Sequence, residues 1–150
     1  MRPAFYFLVL GPSAGLSFVS GLRNVTLDDN DPAITYSPQW GVSPGDNSLD
    51  FGGSVHFSDD GTATASLTFR GVALYLLAAS WSSNVGAQLT IDGQGPFVVD
   101  FEDHGVRPDD AGLGRETLES QVVWAATQLS DEQHTVVISK PPSMRFVVLD

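Results

Sequence analysis

The tightest constraint in this chain is the alternation across Thr62–Phe69. Ala63, Ala65, Leu67 and Phe69 recur at every second position, with Thr62, Thr64, Ser66 and Thr68 between them. A period of two yields one apolar and one polar face only when the backbone is extended, so this segment is a half-buried β-strand. Asp59-Asp60-Gly61 precedes it as turn chemistry, and Ser54-Val55-His56-Phe57 lies before that, so the two runs are expected to form a hairpin. Val72–Ala79, after Arg70-Gly71, is apolar at almost every position and suits a central strand. Gln88–Ile91 and Phe97–Asp100 flank Asp92-Gly93-Gln94-Gly95-Pro96, a second hairpin with Asp-Gly at its tip. His134–Ile138 and Arg145–Leu149 read as late strands parted by Lys140-Pro141-Pro142. His134 follows a Ser130–Gln133 turn and is expected to hydrogen-bond it.

One segment fits two periods. Leu118, Val122, Ala125, Ala126 and Leu129 would line a helix, but Gln121-Val122-Val123-Trp124 is β-branched and aromatic and lacks a helix cap. A strand near Gln121–Ala126 after a polar loop is the expectation, with Glu102–Gly114 as the longest loop. Short strands recurring at intervals of roughly 8–12 residues indicate a sandwich or a barrel. A chain of 150 residues holds one such domain and buries a sizeable core.

Charge narrows the partners. With 7 Lys and Arg against 18 Asp and Glu, the net charge is −11. That leaves no cationic surface for nucleic acid, and anionic membranes are an equally poor match. The chain has 0 cysteines, which removes disulfides, thiolate metal sites and cysteine nucleophiles together.

The N-terminus has the order of a secretory leader. Arg2 precedes the apolar run Ala4–Leu10, Gly11-Pro12 breaks it, and Ser13, Ala14, Gly15 and Ser17 supply small residues for cleavage. Residues 1–20 are therefore expected to be a signal peptide and 22–150 the exported domain. The alternative is an ordinary buried strand at Phe5–Leu10. The apolar run is too short to span a bilayer, and nothing later is long enough. The chain is thus expected to be secreted or at the cell surface without spanning the membrane.

Several runs also resemble a family. Asn24–Pro38, Phe69-Arg70-Gly71-Val72-Ala73-Leu74-Tyr75, Leu89-Thr90-Ile91-Asp92-Gly93, Trp124–Val136 and Phe146–Asp150 appear in the order of landmarks in a group of basidiomycete fungal surface-protein ectodomains. The resemblance covers essentially residues 22–150. It implies an all-β jelly-roll β-sandwich of two antiparallel sheets, similar to galactose-binding-like and carbohydrate-binding modules. The group is largely uncharacterised, so it implies a fold and a location more than an activity. Its members usually continue through a Ser/Thr-rich linker into a transmembrane helix, which this sequence does not contain.

Catalytic chemistry finds little support. His56, His104 and His134 are not at metal-ligand spacing, and no Gly-x-Ser-x-Gly elbow is present. Most acids lie in turns, where carboxylates serve as turn formers. No catalytic residue, cofactor or metal is therefore assigned. The densest acidic run, Asp28-Asp29-Asn30-Asp31-Pro32, leaves open a structural calcium shared by Asp28, Asp31 and Asp150, against a simple turn before Pro32.

Sugar recognition needs an aromatic face beside amide or carboxylate groups. Trp81 and Asn84 in Ser80-Trp81-Ser82-Ser83-Asn84 fit that need, as do Tyr36 and Trp40, while Trp124 reads as core. Trp81 could equally close the end of the sandwich as packing. Asn24-Val25-Thr26 is the sole N-glycosylation triplet. The expectation is a non-catalytic extracellular recognition or structural module of a fungal cell surface with glycan as ligand class. The alternative is a small secreted glycan-acting hydrolase using an Asp/Glu pair.

Overall fold

The computed structural model describes residues 5–9, 23–43, 49, 51–106 and 116–150. In chain order its strands are β1 (Phe5–Val9), β2 (Arg23–Leu27), β3 (Ile34–Tyr36), β4 (Gly41–Val42), β5 (His56–Ser58), β6 (Thr64–Trp81), β7 (Gly86–Ile91), β8 (Gln94–Asp100), β9 (Glu116–Ser139) and β10 (Val147–Leu149). A short 3₁₀ turn at Phe51–Gly53 separates β4 from β5. The larger sheet runs β2-β1-β6-β9-β7-β8, with β3 also paired to β6, and the smaller one runs β10-β5-β4. All these strand pairings are antiparallel. The protein is all-β, as its alternation demands, and no helix among the described residues is long and apolar enough to cross a membrane.

The alternation places the core as expected. Ala63, Ala65, Leu67 and Phe69 are buried, while Thr64, Thr68 and Arg70 face out. Along the upper half of β6, Ala73, Leu74, Leu76, Leu77, Ala78 and Ala79 are all buried, so this stretch is covered on both faces. β1 pairs with one edge of it through Phe5↔Leu76 and Phe7↔Leu74, and β9 pairs with the other. The second hairpin also forms, with Asp92 and Gly93 at φ 50° and 76° joining β7 to β8. Two consecutive positive φ values are what a tight hairpin turn requires, and Asp-Gly supplies them at low cost.

Three local expectations change. The Asp59-Asp60-Gly61 turn does not close a hairpin. β5 pairs with β10 and β4 instead, so the turn carries the chain from the small sheet to the large one. The ambiguous segment is not a short strand after a loop but part of β9, continuous over Glu116–Ser139. The expected Ser130–Gln133 turn is absorbed into that strand. Gly71 pairs with Glu132 and Ala73 with Thr127, so Gln128–Asp131 bulge opposite Val72 alone, and Gln128 takes φ 64°. Phe5–Val9, within the apolar run of the expected leader, forms β1 and pairs also with β2 from Phe5↔Leu27 to Val9↔Arg23. The rest of segment 1–20 lies outside the described residues.

The last strand is buried on both sides. Val147, Val148 and Leu149 are 0%, 4% and 1% exposed, whereas alternation alone predicts one outward face. β10 pairs with β5 along one edge, and Val85 bridges to Phe146 just before it. Leu149→Ala should therefore cost about 2–5 kcal/mol, read as a lower urea midpoint, and an unchanged midpoint would remove β10 from the core.

Candidate functional site

The residues with the most chemistry meet at one corner, where β2, β3 and β5 come together. After β2, Asp31 N–H donates to the Asp28 carbonyl at 2.9 Å, and Ala33 N–H donates to Asp31 Oδ1 at 2.8 Å. This turn delivers the chain into β3, whose Ile34↔Leu67 and Tyr36↔Ala65 pairings dock it on β6. The next stretch is clamped to the start of β6: Trp40 Nε1 donates to the Thr64 carbonyl at 3.0 Å, and Thr64 N–H donates to Ser37 Oγ at 3.0 Å. Tyr36 Oη donates to the Asp29 carbonyl at 2.6 Å.

Rings and carboxylates converge there. Tyr36 stacks on His56 with centroids 4.2 Å apart and planes 9° apart, and Trp40 meets Tyr36 edge-on at 5.2 Å. His56 Nδ1 lies 2.7 Å from Asp29 Oδ2. Asp29 is 0% exposed, and its Oδ1 has no hydrogen-bond partner among the described residues. The Asp28 carboxyl lies within hydrogen-bonding reach of the Asp29 side chain, and its Oδ1 accepts the Asp29 N–H at 3.0 Å. Burial first, and then the Asp29 charge, push the Asp28 carboxyl up to about 6. The same causes raise the Tyr36 phenol: burial foremost, then the charges of Asp29 and Asp28. Gly52, at φ 73°, completes the wall, because a Cβ there would sit 2.7 Å from Asp28 Oδ2.

Of the residues expected to bind ligand, the structure brings Tyr36 and Trp40 together, both half-buried. Trp81 is 8% exposed and belongs to the core. Its backbone is held on both sides, by Trp81 N–H to the Phe101 carbonyl at 2.8 Å and Asp103 N–H to the Trp81 carbonyl at 2.7 Å. Its indole presents no open face, and packing is the role this position supports. Asn84 is exposed, but its Nδ2 is spent on the Ser143 carbonyl at 3.0 Å. Asn24 is exposed on β2. Trp124, read as core, is half-buried and packs against the core with Phe97 5.7 Å away. Asp31 stays with its own turn, and Asp150 is buried beside Leu149, which pairs with His56.

The Asp29–His56 contact was not expected from the sequence. No local sequence pattern marks it: only in the structure does β5 turn Ser58 inward and leave Phe57 37% exposed.

Two further histidines have acidic neighbours. On the solvated loop after β8, His104 Nε2 lies 3.1 Å from Asp100 Oδ2, and Asp100, Glu102 and His104 fall within 4.8 Å of one another. His134 is buried, with Nδ1 2.6 Å from Asp92 Oδ2 and Nε2 2.9 Å from the Ser130 carbonyl. A carbonyl only accepts, so Nε2 carries a proton. The carboxylate at Nδ1 then favours the imidazolium, and the His134 pKa rises, chiefly through Ser130 and then Asp92. Asp92 is held below its usual range by the Thr135 N–H and by His134.

No family model, curated protein or solved structure matches the chain.

The His134–Asp92 pair gives the fold a defined pH dependence. A raised histidine contributes fully below its ordinary 6.5, and that contribution is lost as pH climbs through the raised value. A lowered aspartate contributes above its ordinary 3.8, and that contribution is lost on acidification. Between those limits both contributions are present. The melting-temperature gap between wild type and His134→Gln should be widest there and shrink at alkaline pH. A gap that is constant with pH would show that His134 is not charged in the fold.

Proposed function

We propose that this chain is a non-catalytic extracellular recognition or structural module of a fungal cell surface, with a galactose-binding-like jelly-roll fold and glycan as its ligand class. The observation that carries the reading is the Tyr36–Trp40 corner. Trp40 is half-buried, its indole N–H is tied to the Thr64 carbonyl, and Tyr36 braces it edge-on. A pinned indole loses little conformational entropy on binding and can offer apolar surface to a sugar ring, and its acidic surroundings suit hydroxyl donors. The antiparallel two-sheet architecture and the ordered landmark runs support the fold and family parts of the reading.

The hydrolase alternative needs two carboxylates across a cleft, about 5–10 Å apart. Asp28 and Asp29 touch each other, and Asp29 is fully buried, so this pair lacks that geometry.

Glycan-array binding of the full chain, repeated with Trp40→Ala, tests the ligand class. Binding that falls by at least about tenfold in the variant supports it. A blank array, or binding indifferent to Trp40, removes it.

Export predicts two covalent signatures in material secreted from a eukaryotic host. Asn24 should carry an N-glycan, seen as an endoglycosidase mobility shift absent from Asn24→Gln. N-terminal sequencing should start just after residue 20. A chain retaining Phe5–Val9 would instead establish β1 as a permanent strand of the larger sheet.

A further inference from the structure

We propose that the Tyr36–Trp40 corner is a proton-operated latch: one proton held between the Asp28 and Asp29 carboxyls keeps it closed, and loss of that proton loosens it. The two acids are consecutive in the turn after β2. The Asp28 carboxyl lies within hydrogen-bonding reach of the Asp29 side chain, and its Oδ1 accepts the Asp29 N–H at 3.0 Å. Asp29 is 0% exposed, so little water lies between the two charges to screen them. Two carboxylates offer each other only acceptors, and a single proton turns that repulsion into a hydrogen bond.

The surroundings place the proton on Asp28. Asp29 Oδ2 faces His56 Nδ1 at 2.7 Å, and an imidazole N–H there makes Asp29 the better acceptor of the two. Burial and the Asp29 charge move the Asp28 carboxyl the same way, up to about 6. Asp28 is half-buried, so its proton can exchange with solvent. The other groups facing the pair do not take over this part. The Tyr36 phenol on β3 is raised and stays neutral, and Asp31 Oδ1 is spent on the Ala33 N–H. Asp150, buried beside Leu149 opposite His56, brings a further acid from the end of β10. β4 and the 3₁₀ turn carry no titratable residue. No Lys or Arg among the described residues forms an ion pair with Asp28 or Asp29.

Asp29 passes the effect of the proton to the rings. Its carbonyl accepts the Tyr36 Oη–H at 2.6 Å, and its carboxylate holds His56, which stacks on Tyr36 at 4.2 Å. Tyr36 in turn meets Trp40 edge-on at 5.2 Å. When Asp28 ionises, like charges are driven apart, and Asp29 cannot move without disturbing both Tyr36 and His56. The proton favours the closed corner, so the closed corner favours the proton. A carboxyl raised above its ordinary 3.8 contributes fully below that value, and the contribution is lost as pH climbs through about 6. The latch is therefore closed in acid and loosened above that midpoint.

This inference stands apart from the glycan reading, since its test measures no sugar. The full chain, kept in EDTA, is titrated between about pH 4 and about pH 8. Carboxyl-carbon NMR follows Asp28, and hydrogen exchange follows the Trp40 indole N–H, which donates to the Thr64 carbonyl. An Asp28 carboxyl titrating at about 6 is expected. Trp40 exchange, corrected for its intrinsic pH dependence, should speed up at least about tenfold through the same midpoint. In Asp28→Asn, whose neutral amide has no such proton to lose, Trp40 exchange should stay flat across the range. Melting temperatures should show Asp28→Asn gaining on wild type as pH rises. An Asp28 carboxyl that titrates at its ordinary value overturns the proposal, as does Trp40 exchange indifferent to that titration or equally pH-dependent in Asp28→Asn. If the variant fails to fold, the wild type decides alone, because the carboxyl and the indole either share a midpoint or do not.

Discussion

The pairing of β6 with β9 is the constraint on which the rest of this molecule depends. Their ladder runs from Thr64↔Ser139 to Trp81↔Glu116, and β1, β3 and β7 all attach to one or other of these two strands. Strands of 18 and 24 residues are too long to serve one flat layer. The register shifts between Gly71 and Ala73, between Leu76 and Leu77, and again beyond Ala78 relieve that problem. Each bulge adds local twist, which lets so long a ribbon bend. The largest bulge, at Gln128–Asp131, is held from two sides. Arg70 Nε reaches Asp131 Oδ1 at 3.1 Å, and His134 Nε2 donates to the Ser130 carbonyl. His134 is thus a structural histidine whose charge is tied to the shape of the ribbon.

The acidic corner inherits its geometry from that ribbon. β3 is placed by its pairing to the start of β6, which fixes Tyr36 and, through Thr64, Trp40. The small sheet brings His56 from the other side, because β5 lies between β4 and β10. Asp29 is squeezed between these two supports, and its burial follows from the docking of two sheets rather than from its own polarity. Its side-chain contact to His56 bridges residues that are distant in sequence. A corner built this way is braced in its aromatic part and holds two adjacent acids beside it, and that combination makes it the strongest candidate site among the described residues.

The β class was legible in the sequence wherever a local rule applied. Thr62–Phe69 alternated and became the start of β6 with the predicted face inward. Asp92-Gly93 demanded a tight hairpin and formed one, and Val72–Ala79, apolar throughout, became the doubly covered middle of the larger sheet. Tyr36 and Trp40 were legible as aromatic candidates, and His134 as a histidine bonded to the segment before it. These outcomes depend on side-chain period, turn chemistry and short-range hydrogen bonds, all of which act within a few residues.

Partner choice was not legible, because it is settled by residues far apart in the chain. Nothing within Ser54–Phe57 says that its strand joins β10 rather than the adjacent β6, and nothing within Ser130–Gln133 says that a turn-like stretch will be carried as a bulge. Trp81 looked equally fit for a sugar face or a sandwich cap, and only the backbone bonds to Phe101 and Asp103, with the core around it, made it packing. The same holds for Asp29. The sequence determined that an acidic turn would stand before β3, since Asp-Pro and its neighbours cannot continue a strand. Only the tertiary structure decided which of those carboxylates would lose its water, because burial is a property of the layers that close over a residue and not of the residue itself.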